Sequence, residues 1–150
     1  MAAPSTSVMK VFDVMTTNVV TAGNSETISD AVGRMLDKDV GCIVVVHKDA
    51  VAGIITKGDV LKKAYLTSLD PKKTFARDVM TTPVVAISAD ASLEDAAKLM
   101  TQKHVSKLPV LRDRKLVGIV TSTDVIRAEP MQVKYLQELV RARFVPHDLR

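Results

Sequence analysis

The residues best suited to chemistry are a threonine and an aspartate three positions apart, and the pair occurs twice. The pattern Gly-h-h-Thr-x-x-Asp, where h is aliphatic, spans Gly53–Asp59 and again Gly118–Asp124. A strand should end at each threonine and a helix begin near each aspartate. The hydroxyl and the unpaired N–H groups of the first helical turn suit an anionic group. The carboxylate can accept two hydrogen bonds from the vicinal hydroxyls of a ribose. The motif therefore predicts a nucleotide site.

The same spacing also fits an ordinary helix cap. A threonine at the N-cap and an acid three residues later can exchange hydrogen bonds with each other's backbone, with no ligand involved. Two copies in register, each with a glycine three residues before the threonine, favour the binding interpretation. Both interpretations stay open from the motif alone.

Catalytic patterns are absent from the sequence. His47, His104 and His147 share no spacing with each other, and no H-E-x-x-H, Walker A, G-x-G-x-x-G or G-x-S-x-G pattern occurs. Asp30 and Asp95 match between the two halves, but an acid near the start of a helix usually acts as a cap or interacts with the helix dipole. We therefore expect no enzyme activity and no catalytic residue.

Composition narrows the class of protein further. The single cysteine, Cys42, excludes an internal disulfide and cysteine-based zinc sites, and it fits a reducing cytoplasm. No apolar run approaches the ~18–20 residues of a membrane span, so we expect no membrane partner. Basic residues concentrate at 57–77, with six against two acids, and at 131–150, with four against two. This excess of positive charge is suited to binding a polyanion, and it is equally typical of a connector whose lysines are solvated.

The chain repeats itself with a constant offset of 65 residues. Asp13–Thr17 returns as Asp78–Thr82, and 18 of the 52 pairs aligned between 13–64 and 78–129 are identical. A repeat of this kind indicates two copies of one supersecondary unit. Each copy is marginal in size by itself, so we expect both to fold as one body about a pseudo-two-fold axis.

One copy reads as strand, helix, strand, strand, helix. In the first copy we predict strands at Val19–Val20, Cys42–Val46 and Val51–Thr56, the last two antiparallel across a polar turn. Asn24 or Ser25 should cap the first helix. The second helix, 59–66, should turn Val60, Leu61 and Ala64 inward. The buried stripe of the first helix is predicted to comprise Ile28, Ala31, Val32, Met35 and Leu36.

The second copy repeats this order. Ser92 should cap its first helix, and Pro109 predicts an edge or a bulge at one end of the strand 108–111. After Pro130, residues 131–144 have an amphipathic pattern that predicts a further helix, which packs on its own chain or contacts a partner. The inward face of the first helix of this copy comprises Leu93, Ala96, Ala97 and Met100, and that of the final helix Val133, Leu136, Leu139 or Val140, and Phe144.

Together, the repeated Asp-Val-Met-Thr opening and the repeated Gly-h-h-Thr-x-x-Asp-Val resemble a tandem pair of cystathionine-β-synthase (CBS) domains, or Bateman module. The resemblance implies an α+β fold of two β-α-β-β-α units packed sheet to sheet, with a C-terminal helix added in a stand-alone small CBS-pair protein. We expect a disordered tail at 1–7, CBS units at 8–68 and 69–129, and a C-terminal helix and tail at 130–150. The resemblance also implies a regulatory role and a homodimer of disc-like form.

The resemblance also implies two clefts for an adenosine ligand. Lys107 should face phosphate in the first cleft, and the second cleft lacks that lysine, so we expect unequal affinities. The first cleft is predicted to comprise Thr56, Lys57, Asp59, Pro83, Val84, Val105, Ser106 and Lys107. The second is predicted to comprise Thr121, Ser122, Asp124, Thr16, Asn18, Val20, Val40, Gly41 and Cys42.

The sequence thus predicts a cytoplasmic sensor of adenosine nucleotides (AMP, ADP or ATP), S-adenosylmethionine or NAD(H), which signals to a protein partner in trans. The adenosine nucleotide would be a regulatory ligand and not a cofactor, and no metal is expected. Two alternatives come from other classes: a nucleic-acid-binding basic protein, and a purely structural oligomerisation module. Five aromatic residues and no nucleic-acid-binding signature weigh against the first alternative.

Overall fold

The chain forms two packing units, each built on a three-stranded sheet. The computed structural model describes residues 8–128 and 133–144. One unit comprises Asn18–Val84 with the short segment Asp113–Leu116, and we call it the first-repeat unit. The other comprises residues 8–17, Val85–Arg112, and the described chain from residue 117 onward, and we call it the second-repeat unit.

The helices and strands are numbered along the whole chain. They alternate in both repeats as the sequence predicts, which confirms an α+β fold with a C-terminal helix. In chain order they are α1 (Val11–Val14), β1 (Thr21–Gly23), α2 (Ile28–Asp37), β2 (Cys42–His47), β3 (Ala50–Thr56), α3 (Lys57–Thr67), α4 (Ala76–Val79), β4 (Ile87–Ser88), α5 (Leu93–Lys103), β5 (Lys107–Arg112), β6 (Lys115–Thr121), α6 (Ser122–Ala128) and α7 (Val133–Phe144).

The opening segment of each repeat packs on the body of the other repeat. Val11 belongs to the first copy by sequence, yet its N–H donates to the Ala91 carbonyl at 2.8 Å and its side chain is fully buried in the core of the second-repeat unit. Correspondingly, the Ala76 N–H donates to the Glu26 carbonyl at 2.8 Å in the first-repeat unit. The packing units and the predicted sequence boundaries, 8–68 and 69–129, therefore divide the chain differently.

Sheet order is β1-β2-β3 in the first-repeat unit and β4-β5-β6 in the second. β1 runs parallel to β2, and β2 runs antiparallel to β3 with Val44 opposite Ile54, as predicted for strands joined by a short turn. The first strand begins at Thr21 and not at Val19. The Val20 carbonyl still accepts from the Val44 N–H at 3.1 Å, so the difference concerns only where the regular ladder starts.

Pro109 lies at an unpaired end of β5 on the side of β4, which agrees with the predicted edge at that end, although the strand as a whole is not an edge strand. β5, which contains this buried proline, is the central strand of its sheet. β4 is only two residues long and pairs with Val110 and Leu111, so Pro109 lies beyond the end of that ladder. A proline is tolerated there because the neighbouring strand does not extend far enough to pair with it.

Helix caps agree with the prediction in one repeat and correct it in the other. Ser92 caps α5, since its hydroxyl accepts from the Asp95 N–H at 3.0 Å. In α2 the cap is Thr27, and neither Asn24 nor Ser25 has that role. Asn24 instead extends the β1–β2 ladder, because its N–H donates to the Val46 carbonyl.

Three residues predicted to face the core are exposed. Leu36 and Leu61 are 72% and 73% exposed, and Ala64 is exposed as well. Ile28, Ala31 and Met35 already fill the core-facing side of α2, so Leu36 falls farther around the helix. α3 has no fully buried residue, and its Val60 is only half-buried.

α7 packs against its own chain. Leu136 and Leu139 are 1% and 3% exposed and belong to the core of the second-repeat unit, whereas Val140 is 50% exposed. The alternative of self-packing is therefore the one observed, with Leu139 and not Val140 as the inward residue. Among the described helices, each is too short or too polar to span a bilayer. The predicted tail, 1–7, and the side chains of Val133 and Phe144 lie outside the described residues.

Candidate ligand-binding site

The first Thr-x-x-Asp motif starts α3 with reciprocal hydrogen bonds. The Thr56 hydroxyl accepts from the Asp59 N–H at 3.2 Å, and Asp59 Oδ2 accepts from the Thr56 N–H at 2.8 Å and from its hydroxyl at 3.0 Å. This is the capping box that the spacing allowed. Both residues are only partly buried where they make these bonds, so they remain within reach of a ligand.

The second motif starts α6 in the same way. The Thr121 N–H donates to Asp124 Oδ2 at 2.9 Å, and the Asp124 N–H donates to the Thr121 hydroxyl at 3.2 Å. Within residues 8–128 and 133–144, the other carboxylate oxygen of Asp124 has no protein donor. Its lone pairs are thus open to a ligand hydroxyl.

Two further pairs with the same spacing also start helices, but they differ in their hydrogen bonds. Thr27 and Asp30 start α2, and Ser92 and Asp95 start α5. In both, the hydroxyl accepts from the backbone N–H of the acid. The side chains of Asp30 and Asp95 are exposed, and in the described part of the chain they do not accept the return bond. Of these four pairs, the two after β3 and β6 are the ones whose carboxylate accepts the return bond.

The repeated Met-Thr pair explains the glycine in each motif. The Thr81 N–H donates to the Ile54 carbonyl at 2.8 Å, which lays the segment 80–81 across β3 beside Gly53. The Thr16 and Ile119 backbones exchange two bonds of 2.9 Å beside Gly118 in the second-repeat unit. A side chain at either glycine would meet the methionine sulfur and the threonine carbonyl. The Met-Thr pair can therefore pack against the strand before each Thr-x-x-Asp motif only because that strand has a glycine at this position.

Thr81 is a site residue that the sequence motifs did not predict. Its hydroxyl donates to Asp59 Oδ1 at 3.1 Å, so both oxygens of Asp59 have protein partners. The repeat did contain a signal, since Thr16, the equivalent of Thr81, is among the predicted residues. The two aspartates thus differ, because Asp124 keeps one oxygen without a protein donor in the described part of the chain.

The remaining predicted residues divide between the two units. At the start of α3 the Gly41 carbonyl accepts from the Lys57 N–H at 3.2 Å, and at the start of α6 the Ser106 carbonyl accepts from the Ser122 N–H at 2.9 Å. The first-repeat unit contains Thr56, Lys57, Asp59, Pro83, Val84, Asn18, Val20, Val40, Gly41 and Cys42. The second-repeat unit contains Thr121, Ser122, Asp124, Thr16, Val105, Ser106 and Lys107. Each predicted cleft takes residues from both units, and those combinations stay predictions.

A groove of about 750 Å³ runs beside β1 in the first-repeat unit. Asn18 and Val20, which were predicted as cleft residues, line it together with Glu26, Arg34 and Lys38.

Arg34 in α2 and Lys38 just after it were not predicted as site residues, because no binding motif marks either position. Lys38 did carry a signal in the repeat, since Lys103 stands at the equivalent position of the second copy, whereas Arg34 corresponds to Leu99. Lys38 is exposed at the end of α2, where the groove reaches it.

Hydrogen bonds of Glu26 and Arg34 join α2 to β1 along this wall. Arg34 Nη2 donates to Glu26 Oε1 at 2.6 Å, and Nη1 donates to the Thr21 carbonyl at 2.6 Å. The Gly23 N–H also donates to the Glu26 carboxylate. The hydrogen bond from Arg34 holds the pKa of Glu26 below its usual value and raises that of Arg34. Because Arg34 is already paired, Lys38 is the cation of this groove with charge to offer a ligand.

This geometry suits binding more than bond breaking. Each strand–helix junction offers a hydroxyl, a carboxylate and backbone N–H groups, with aliphatic side chains of the neighbouring strands nearby. Among the described residues, no set of three or more His, Cys, Asp or Glu side chains is grouped as a metal site would require.

Comparison with known proteins identifies the family. The CBS domain family matches residues 11–65 and 76–130. The chain is 34% identical to an uncharacterized protein of Methanopyrus kandleri over 87% of its own length and 67% of that protein. It is 31% identical to an uncharacterized protein of Methanocaldococcus jannaschii over 93% of its own length, but it spans only 35% of that longer protein.

Solved structures agree with this match. The CBS domain pair of protein MJ0100, in complex with 5′-methylthioadenosine and S-adenosyl-L-methionine, superimposes with a TM-score of 0.74. It is 26% identical, and the match covers 84% of this chain and 99% of that one. Both copies of the sequence repeat thus correspond to one domain type, and the chain belongs to the CBS domain family, with two CBS domains in tandem.

Proposed function

We propose that this chain is a regulatory module that binds an adenosine-containing ligand at the strand–helix junctions before α3 and α6. Tandem CBS domains are ligand-sensing modules, and one structural relative is in complex with two adenosine compounds. AMP, ADP, ATP, S-adenosylmethionine and NAD(H) are the candidates, and all contain a ribose. The module acts without catalysis.

The observation that carries this proposal is the bonding of Asp124. One oxygen caps α6 through the Thr121 N–H at 2.9 Å, while within the described residues the other has no protein donor. A ribose diol supplies two donors, and a carboxylate accepts both at little cost. At Asp59 a ribose competes with the Thr81 hydroxyl, which donates at 3.1 Å. The Asp124 site therefore binds ribose more tightly than the Asp59 site.

Phosphate or another polar tail would lie near the threonine hydroxyls. Thr56 and Thr121 begin helices, whose first N–H groups carry partial positive charge. Lys57 lies next to Thr56, and Lys107 begins β5 beside Ser106. Lys38 places a positive charge beside Asn18 and Val20 in the groove. The residues predicted for the second cleft included no lysine. The adenine would lie among aliphatic residues, of which Val20, Val40, Cys42, Val84 and Val105 are candidates.

Ligand binding would then change how the module interacts with other proteins. A ligand shifts an equilibrium between two arrangements only by its difference in affinity for them. We propose a cytoplasmic homodimer whose arrangement is read by a protein partner in trans.

A thermal-shift series tests the proposal. AMP, ATP, S-adenosylmethionine, 5′-methylthioadenosine and NADH are each added to the wild type, and a ligand at 100 times its Kd should stabilise the folded state by about 2.7 kcal/mol. Asp124→Asn should abolish most of that shift, because an amide can still accept from the Thr121 N–H but cannot accept two ribose hydroxyls.

Asp30→Asn is the matched control. Asp30 is three residues after a capping threonine, as Asp124 is, but its side chain accepts no return bond from Thr27 in the described structure. The control should retain the full ligand shift. An equal shift in wild type and Asp124→Asn, or no shift with any compound, would contradict the proposal.

Nucleic-acid binding is the second candidate. The six basic residues between 57 and 77 (Lys57, Lys62, Lys63, Lys72, Lys73 and Arg77) are all exposed. Fluorescence anisotropy with a DNA or RNA oligonucleotide at two salt concentrations separates this candidate from the first, since phosphate contacts make affinity fall steeply with salt.

A further inference from the structure

A pocket of about 290 Å³ lies between α6 and α7 in the second-repeat unit, and we call it the α6–α7 pocket. Its lining comprises Ile126 of α6 together with Leu136, Gln137, Val140 and Arg141 of α7. Leu136 is 1% exposed and belongs to the core of this unit, so it is the most buried part of the lining. The volume is close to that of the smallest sites that take small organic molecules.

The apolar side of the pocket is open to solvent because α7 covers α6 only in part. Ile126 stands 65 residues after Leu61, so the two residues are equivalent in the repeat. Leu61 is 73% exposed, whereas Ile126, beside α7, is 39% exposed. Val140 on the opposite side is 50% exposed. Because α7 lies beyond both copies of the repeat, we expect one such pocket per chain and not two.

The other side of the pocket is polar and positively charged. Gln137 and Arg141 are exposed and stand one helical turn apart, next to Leu136 and Val140, which have the same spacing. Among the described residues, Arg141 belongs to none of the ion pairs, although Glu138 stands only three positions before it. The guanidinium therefore keeps its hydrogen-bond donors for an oxygen anion.

This combination suits an anion that carries a short aliphatic chain. A carboxylate can accept two parallel hydrogen bonds from the Arg141 guanidinium, which are among the strongest that a protein makes. The chain would then lie against Ile126, Leu136 and Val140, and each methylene removed from water favours binding. A cationic head group would be repelled by Arg141, and a small polar anion would leave the apolar lining in water.

We propose that the α6–α7 pocket binds a small aliphatic carboxylate, with the carboxylate on Arg141 and the chain between Ile126 and Val140. Such a ligand contacts both helices, so it binds only where α7 is packed against α6 and it stabilises that packing. The inference does not depend on adenosine binding, since none of the lining residues belongs to the strand–helix junctions.

A chemical-shift titration of the methyl-labelled full chain with octanoate tests this proposal. The methyl signals of Ile126 and Val140 should follow one saturable curve with a Kd of about 1 mM, as expected for a ligand of about ten non-hydrogen atoms in an open pocket. The methyl signals of Ile55, in the core of the first-repeat unit, should not move. Hexanoate should bind at least threefold more weakly, because it buries two fewer methylenes.

Octylamine is the matched control ligand, because it has the same chain with a cationic head group. It should not shift the Ile126 and Val140 signals. Octanoate that leaves these signals unchanged, or octylamine that binds as tightly as octanoate, would overturn the proposal.

Substitution of Arg141 tests the position of the carboxylate. Arg141→Gln should weaken octanoate binding at least tenfold, because the charge-assisted bonds are lost. Arg127→Gln is the control, since Arg127 is also an exposed arginine of this unit but does not line the pocket, and it should change the affinity less than twofold. Both arginines are exposed, so circular dichroism should show a native fold in each variant. Unchanged affinity in Arg141→Gln, or an equal loss in Arg127→Gln, would overturn the proposal.

Discussion

Met80 packs directly over Gly53. Its sulfur lies 2.6 Å from the point that a Cβ on Gly53 would occupy, and Met15 and Gly118 repeat the arrangement at 2.5 Å in the other unit. Each glycine belongs to the strand that ends at a Thr-x-x-Asp motif, and each methionine belongs to an opening segment. The contact therefore ties the opening of one sequence repeat to the candidate site on the body of the other.

Gly53→Ala should destabilise the protein by about 1–3 kcal/mol, because a methyl group has no space there. The Thr81 carbonyl oxygen lies 2.9 Å from the point that the methyl carbon would occupy, and backbone cannot move away as easily as a side chain. Urea denaturation followed by circular dichroism measures the change in the free energy of unfolding.

Gly33→Ala is the control for that experiment. Gly33 lies in α2 with no atom within 4 Å of an added Cβ, so alanine should stabilise the helix by about 0.5–1 kcal/mol. A Gly53→Ala protein as stable as the wild type would contradict the role assigned to Met80.

The elements around the site could be predicted because their signals are local. β2 and β3 appear as β-branched runs with a polar turn between them, and the cap at Thr56 follows from residue type and spacing. The exchange of opening segments could not be predicted. Residues 10–17 pack on the second repeat, and their own sequence does not indicate which of the two repeats they contact.

The pH dependence of stability should reveal the ion pair of Glu26 and Arg34. The pKa of Glu26 is lowered in the folded state, mainly by the hydrogen bond from Arg34, so the folded protein favours the charged form. That contribution is present above the ordinary pKa of a glutamate and is lost as the pH falls through the lower folded value. Glu26→Gln should cost about 1 kcal/mol or less at pH 7, and this difference should shrink as the pH falls below the ordinary pKa of a glutamate.

Asp90→Asn is the comparison for Glu26→Gln. The Asp90–Arg112 pair has a longer separation of 3.3 Å and its acid is 74% exposed, so its removal should cost less at pH 7. A cost of Glu26→Gln that grows as the pH falls would contradict the sign of the pKa shift.

Leu139→Ala should be far more destabilising than Val140→Ala. Leu139 is 3% exposed in the core of the second-repeat unit, where truncation of a leucine costs about 2–5 kcal/mol. The exposed Val140 should tolerate alanine within about 0.5 kcal/mol. Denaturant midpoints of the two variants give the comparison, and equal midpoints would mean that α7 does not pack as described.

Side-chain periodicity predicted burial for Leu36 and Leu61, and it was wrong for both residues. Leu36 continues the predicted stripe of α2 yet is exposed, because Ile28, Ala31 and Met35 already form the buried side of that helix. Leu61 is exposed on α3, a helix in which no residue is fully buried. A pattern of apolar residues cannot distinguish a core from a contact surface. The hydroxyl of Thr81 escaped prediction for a related reason, because its partner Asp59 is 22 residues away.

Calorimetric titration of the wild type and two variants with S-adenosylmethionine, 5′-methylthioadenosine, AMP and ATP tests the central claim most directly. We predict saturable binding of at least one of these compounds to the wild type, a loss of affinity of at least tenfold in Asp124→Asn, and a smaller loss in Asp59→Asn, where Thr81 already competes for the carboxylate. Heats of dilution alone for all four compounds, or affinities that neither substitution changes, would contradict the account.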